Sequence, residues 1–416
     1  MSVIKPFRAF RPRPELASQV ATLPYDVMNS DEARAMVKGN PYSFLHVDKA
    51  EVDLHPGIHL YDERVYQKAR ENLDWLINKR IMLQEEESCF YIYRQVMQDR
   101  EQTGIVACVS ADDYLNGVIK KHELTRADKE NDRTKHVAYC DAHTGPIFLS
   151  YRAVSRVNDL VEVWTQDREP VYDILSDDGI SHIIWVVDDP EVIVELQRLF
   201  ADIPNLYIAD GHHRSASAVN VCQMRRKQQP DYTGEEEYNF FLSVLFPDED
   251  LYIMDYNRLV VDLNGLSREE FLTRLQSFFE IVHKGTVKPY KPTRKHTFGM
   301  YLEACWYELT AREDSFDHQD PVASLDVSIL QNQVLEPILG IGDVRTDGRI
   351  DFVGGIRGLN ELEKRVGSGE MKVAFSMFPT GMDDLMAIAD AGKIMPPKST
   401  WFEPKLRSGL FVHKLD

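Results

Sequence analysis

The apolar run Leu206-Tyr207-Ile208-Ala209 stops at Asp210-Gly211, and helix-forming residues over 215–224 follow. A buried strand that gives way to a helix across one tight turn restricts the chain to mixed α/β architectures, with a pocket at the carboxyl end of the strand. A second such run, His182-Ile183-Ile184-Trp185-Val186-Val187, precedes it, and a helix entered through Asp188-Asp189 is expected over 190–200. The turn itself reads Asp210-Gly211-His212-His213-Arg214. A glycine there lets a ligand approach the backbone, and the first N–H groups of the helix point outward with partial positive charge, which favours phosphate. His212, His213 and Arg214 add donors, while Asp210 offers a carboxylate to a divalent metal or to a histidine. A solvated, capped turn is the plainer reading of the same residues.

At 416 residues the chain is long enough for two or three domains. The pattern suggests boundaries at 1–150, 151–285 and 286–416. In the first segment, helices are expected over 32–38, capped from Asn29, Ser30 or Asp31, and over 61–79, followed by a hairpin of strands 89–96 and 104–111. In the last third, strands are expected at 240–246 and 251–256, then a helix over 268–279 and a basic linker over 284–296. Further strands at 297–309 and 374–378 and helices over 327–339 and 382–391 complete the reading.

Hydrophobic residues make up 43% and charged residues 28%, the range of soluble globular proteins. A net charge of −19 argues against a sequence-independent duplex binder, because phosphate neutralisation needs a basic face, so nucleic acid is not an expected partner. The five cysteines are widely spaced without a CxxC pair, which fits reduced, structural thiols, and no Cys and His spacing suits a structural zinc site. No apolar run approaches a membrane span, so no membrane association and a cytoplasmic location are expected, with a homo-oligomer left open.

Two further segments concentrate chemistry. Lys120-Lys121-His122-Glu123-Leu124-Thr125-Arg126 continues through Lys129, Asp132 and Arg133. As a helix it would place Glu123, Arg126 and Lys129 or Glu130 on one face, a solvated surface laced by ion pairs. The functional alternative makes Glu123 a general base or metal ligand, with Arg126 and Arg133 gripping phosphate oxygens. It is not a zinc-protease motif, since Arg126 stands where the second histidine would be. The other segment runs from Met395 to Lys405, where Lys398, Ser399, Thr400 and Lys405 supply cationic and hydroxyl donors around two prolines, in a structural turn or a binding loop but not a P-loop. Asp26 in Pro24-Tyr25-Asp26 begins a turn or, alternatively, ligates a metal, His143 lies in a loop that could line a pocket, and His46, His182 and His283 adjoin apolar runs as packing residues.

The 208–214 box, His122-Glu123-Leu124-Thr125-Arg126 and Met395-Pro396-Pro397-Lys398-Ser399-Thr400 together resemble the prokaryotic family called domain of unknown function 1015. The resemblance spans nearly the whole chain, including the opening Ile4-Lys5-Pro6-Phe7-Arg8-Ala9 and Pro24-Tyr25-Asp26-Val27. The Asp210–Arg214 box, within 178–219, is also similar to the phosphate-binding box of the ParB and sulfiredoxin superfamily, and to its free serine kinases in particular. That second resemblance implies a ParB-like nucleotide-binding core embedded in a larger multi-domain chain, with ATP or ADP as nucleotide and Mg2+ near Asp210. It implies close phosphate approach at Gly211 and phosphate or ribose contacts from His212, His213 and Arg214. The kinase glutamate has no aligned counterpart, and Glu123 is the candidate base on chemical grounds. The expected catalytic residues are therefore Glu123, Asp210 and His212, with His122, Arg126, Arg133, Lys398, Ser399, Thr400 and Lys405 as candidates for substrate or phosphate binding. The expected activity is a magnesium-dependent phosphotransferase on a small hydroxyl metabolite, first of all free L-serine. Phosphoserine hydrolysis at the same site and non-catalytic nucleotide binding in regulation are the alternatives.

Overall fold

Both buried runs form strands. In the computed structural model, which describes residues 1–286 and 288–416, Ser181–Val187 and Leu206–Asp210 belong to one nine-stranded mixed sheet. In chain order its strands are β1 (Ile4–Lys5), β2 (Phe90–Met97), β3 (Arg100–Ser110), β4 (Ile119–Lys120), β5 (Ile147–Tyr151), β6 (Tyr172–Leu175), β7 (Ser181–Val187), β8 (Leu206–Asp210) and β9 (Phe240–Pro247). They lie in the order β4-β8-β5-β9-β3-β2-β7-β6, with β1 also on β3. The β4–β8 and β5–β9 pairs are parallel and the others antiparallel. The hairpin of β2 and β3 is tighter than the expected polar loop, because Gln98 adopts a left-handed φ of 58° that closes the turn directly.

Five longer helices belong to the same part of the chain: α1 (Glu63–Asn78), α2 (Ala127–Cys140), α3 (Ser155–Asp167), α4 (Pro190–Ala201) and α5 (His212–Gln228). Apolar residues of α3, α4 and α5, such as Trp164, Leu196, Phe200 and Val221, pack with Ile92, Leu149, Ile208 and Leu245 from the strands into one core. A second cluster gathers Ala69, Leu73 and Leu76 of α1 with Phe44, Cys140 and Val412.

The compact units differ from the three expected segments. One comprises Met1–Leu251 with Pro404–Asp416, and the other Tyr252–Glu403. A boundary at 150 fails because strands from both sides of it alternate in one sheet, β5 standing between β8 and β9. The last residues rejoin the first unit, where His413 pairs with His143 and Val412 bridges Phe10.

The second unit holds a six-stranded antiparallel sheet. Its strands are β10 (Tyr256–Val260), β11 (Phe279–Gly285), β12 (Thr297–Leu302), β13 (Cys305–Ala311), β14 (Ile350–Gly354) and β15 (Val373–Ser376), ordered β11-β13-β12-β15-β10-β14. The strand expected at 251–256 begins only at Tyr256, and the helix expected to reach 279 ends at Leu275, leaving Phe279 to start β11. The helix expected over 327–339 is a short one, Asp326–Leu330, continued by a wider turn over Gln331–Leu335. The chain is thus a mixed α/β protein, and among the described residues no helix is long and apolar enough to cross a membrane.

Candidate functional site

The Asp210–Arg214 box occupies the junction of β8 and α5. The pairing of β8 with β5 slips between Ile208 and Asp210, a bulge that re-aims the last residue of the strand. Gly211 follows with φ 95° and ψ 32°, a left-handed conformation that glycine adopts without strain. The chain therefore turns at once, and α5 begins at His212, three residues earlier than expected. His212, His213 and Arg214 fill its first turn, with no acidic residue there and no side-chain cap. Helices favour anions at this end, so the Arg214 guanidinium beside the positive pole, with no acid in the turn, forms an electrostatic arrangement that a bound anion would relieve.

Asp210 is half-buried. Its Oδ1 accepts the Gly211 N–H at 3.0 Å, while Oδ2 faces Lys405 Nζ at 3.3 Å and Arg214 Nη2 at 3.6 Å. Burial alone would raise its pKa, but Lys405 and Arg214 outweigh that and hold the carboxyl well below the usual carboxylate range. Arg214 donates from Nη1 to the Pro146 carbonyl at 2.7 Å, and its Nε is buried without a hydrogen-bond partner. Burial works against its charge, yet Asp26 and Asp210 keep it firmly protonated.

The 120–133 segment is not one helix. Residues 121–126 form a loop after β4, and α2 starts at Ala127, so Glu123 and Arg126 do not share a helical face with Lys129 and Glu130. The backbone leaves the strand and runs beside α5, so that this segment meets the box almost rung by rung. His122 is buried with its ring edge-on to His212, centroids 4.5 Å apart. Glu123 is exposed, and its Oε2 lies 3.8 Å from His212 Nδ1. The Arg126 backbone N–H donates to His213 Nε2 at 3.0 Å, which requires a neutral ring there, and burial does lower the His213 pKa. The Arg126 side chain is turned outward, paired with Asp128 at 3.0 Å. Arg133, on α2, is half-buried beside Asp132 at 2.9 Å, with its guanidinium 4.1 Å from the centre of the Tyr25 ring. Arg133 and Arg214 line one cavity, together with Tyr25, Asp48 and His143.

Both imidazoles at the centre are held neutral. Burial pushes His122 down to about 4, partly opposed by Asp210, and burial together with His122 takes His212 well below its ordinary value. Neither ring nitrogen of His122 has a hydrogen bond of good geometry, although the Ile208 backbone lies near enough to favour its protonated form slightly, and His212 Nε2 has no partner.

The 395–405 segment divides between the units. Lys405 stands on Asp210 in the first. Lys398, Ser399 and Thr400 belong to the second, where Ser399 Oγ donates to the Pro396 carbonyl at 2.6 Å and the Lys398 carbonyl accepts from Arg258 Nη2 at 2.8 Å. Lys398 has φ 60°, so its prolines and hydroxyl shape a turn.

Several residues of the site were hidden in the sequence. Tyr25 and Asp26, read as a turn, face Arg133, Arg214 and His213. His143 Nδ1 lies 3.2 Å from His413 Nδ1, and His413 Nε2 is 2.7 Å from Glu237, while His143 Nε2 is buried beside the cavity without a partner. Of these, His143 was expected to line a pocket, and it does line the cavity.

The donors can be tested against a metal. A magnesium ion seeks oxygen ligands, and both Asp210 oxygens already meet N–H or cationic groups, so Asp210 does not fit that ion. The residues that gather metal-binding atoms are instead His122, Glu123 and His212, within 4.8 Å of one another.

Comparison with known proteins finds several similar solved structures. A free serine kinase variant in complex with AMP shares 12% identity, covering 71% of this chain and 87% of that one, with a TM-score of 0.35. A conserved hypothetical protein from Pyrococcus furiosus shares 13% over 73% and 93%, with a TM-score of 0.34. SbnI with a C-terminal truncation, from Staphylococcus aureus, shares 11% over 72% and 82%, with a TM-score of 0.36. No curated protein matches the chain. The family model described as Protein of unknown function (DUF1015) matches residues 4–328, and the chain belongs to that family.

Proposed function

We propose that the protein is a small-molecule phosphotransferase that binds a phosphate-bearing nucleotide at the start of α5 and passes a phosphoryl group to a small hydroxyl metabolite, with L-serine as first acceptor. The observation that carries the reading is a helix opening on His212, His213 and Arg214 without any acid in its first turn, with Lys405 and Arg214 gathered on Asp210. Phosphoryl transfer asks a protein mainly for positioning and charge stabilisation. In this reading the Gly211 turn and the first N–H groups of α5 cradle a phosphate, Arg214 and Lys405 meet its oxygens, and Asp210 orients both cations. Glu123, at the open side of the buried imidazoles, takes the proton of the attacking hydroxyl. ATP or ADP as donor, L-serine as acceptor and a ParB-like core are the parts that rest on the resemblance of the box.

Hydrolysis of phosphoserine at the same site is a second reading, favoured by two neutral buried imidazoles beside a solvent-facing carboxylate, a set suited to activating water. The experiment is turnover of ATP or ADP with L-serine by the wild type and by Asp210→Asn, whose side chain keeps the size but not the charge. Loss of turnover with unchanged circular dichroism supports the reading, and equal activity removes the box from the mechanism.

A further inference from the structure

We infer that His122, Glu123 and His212 form a binding site for a borderline divalent transition metal such as Zn2+, at a place other than Asp210, which does not fit magnesium. His122 and Glu123 come from the loop after β4 and His212 opens α5, far apart in sequence, so no spacing motif announces them; the parallel pairing of β4 with β8 brings the ends of both strands together. His122 and His212 are respectively 2% and 5% exposed. Three of their four ring nitrogens are buried without a good hydrogen-bond partner, and the fourth, His212 Nδ1, faces Glu123 at 3.8 Å, beyond hydrogen-bonding range.

Orphaned buried nitrogens are destabilising by roughly 1–3 kcal/mol each, and native proteins rarely keep several together without a ligand. Two imidazoles and one carboxylate are a ligand set used by catalytic transition-metal sites with an open position, whereas a hard ion such as Mg2+ prefers oxygens throughout. The ligand atoms lie within 4.8 Å of one another. A tetrahedral ion with bonds of about 2.1 Å holds its donors about 3.4 Å apart, so closure takes rotamer adjustments by Glu123 and the rings of about an ångström. Glu123 is 54% exposed, which leaves the solvent side of the ion open. One carboxylate oxygen suffices as ligand, and the other remains for the proton-accepting role proposed above.

The test uses the full chain, free of any histidine tag and stripped with a chelator, and needs neither nucleotide nor acceptor, so its outcome is separate from that of the phosphotransferase reading. Titration with Co2+ is followed by its visible d–d absorption, then by competition with Zn2+ and with Mg2+. The expected result is one equivalent of Co2+ with the intense bands of a four- or five-coordinate site, displaced by Zn2+ but not by excess Mg2+. Glu123→Gln, at an exposed position, is expected to weaken Co2+ binding roughly tenfold or more with an unchanged circular dichroism spectrum. His212→Ala is expected to abolish the spectrum. A spectrum that stays that of hydrated Co2+, or binding unchanged in Glu123→Gln, would overturn the inference.

Discussion

Lys405 Nζ lies 3.3 Å from Asp210 Oδ2, tying the C-terminal segment to the end of a strand 195 residues earlier. The ammonium is largely buried and shares the carboxylate with Arg214, so the two cations sit at fixed positions beside the start of α5. Replacing Lys405 by Met keeps the aliphatic stem and removes the charge. A charge-assisted hydrogen bond is worth about 1.5–3 kcal/mol, so the affinity for ADP is expected to fall about 10- to 100-fold. Isothermal titration of wild type and variant with ADP measures it, and equal affinities would take Lys405 out of the phosphate site.

Gly211 is where backbone and site meet most tightly. At φ 95°, an added Cβ would stand 3.1 Å from Arg214 Nε and 3.3 Å from its Cζ. Gly211→Ala should therefore destabilise the fold by about 1–2 kcal/mol from the left-handed backbone and also push the guanidinium aside. Urea unfolding reads the first effect and ADP titration the second. A variant that keeps both stability and affinity would show that neither the turn nor Arg214 is constrained as described.

Much of this was legible in the sequence. The run at 206–209, the Gly211 turn and the α/β alternation followed from apolar patterning, because buried strands and amphipathic helices leave strong local signals. Start and end points were weaker. The helix begins at His212 because a left-handed glycine allows an immediate turn, and a basic first turn is not what helix-start preferences predict. His122 meeting His212, Lys405 meeting Asp210 and Tyr25 under Arg133 are set by which strands pair and where the chain end returns, and no local pattern encodes that. For the same reason the split of the 395–405 segment between two units could not be read from its composition.

The C-terminal return is also fastened by a cluster with a predictable pH response. Arg407 donates from Nε to His182 Nε2 at 3.1 Å and from Nη2 to Ser176 at 3.0 Å and to Asp178, while Tyr93 meets His182 Nδ1 at 2.7 Å. Burial, helped by Arg407 and opposed by Asp178, pushes the His182 pKa down to about 3. An unfolded chain protonates this histidine near its ordinary value of about 6.5 while the folded one does not, so stability is full above that pH and falls as the pH drops toward 3. Asp178, held low by Ser176 and Arg407 despite its burial, acts in the same direction at lower pH. Each withheld proton changes stability by about 1.4 kcal/mol per pH unit. Unfolding free energies of wild type and His182→Gln between pH 6.5 and 4.5 should differ in slope by about one proton, and identical slopes would contradict the assignment.

In the second unit the sign is reversed at Asp326. Burial raises its carboxyl to about 7, even though the His296 backbone N–H donates to Oδ1 at 2.8 Å, and Oδ2 has no partner. A group that binds its proton more tightly when folded contributes its full stability below the unfolded value near 4 and loses it as the pH rises toward 7. Asp326→Asn should accordingly slow hydrogen exchange across Asp326–Leu330 at pH 8, by about 1–3 kcal/mol of local protection, and change little at pH 4. Faster exchange in the variant at pH 8 would show that the ionised carboxylate is stabilising there.

Phosphoryl transfer is read out most directly by phosphorus NMR of the purified protein with Mg2+, ATP or ADP and a panel of hydroxyl acceptors that includes L-serine, with phosphoserine alone in a parallel tube. A new phosphomonoester signal from serine or a close analogue is expected, and it is absent with Asp210→Asn. Unchanged nucleotide spectra with every acceptor, and no phosphate released from phosphoserine, would contradict the proposed function.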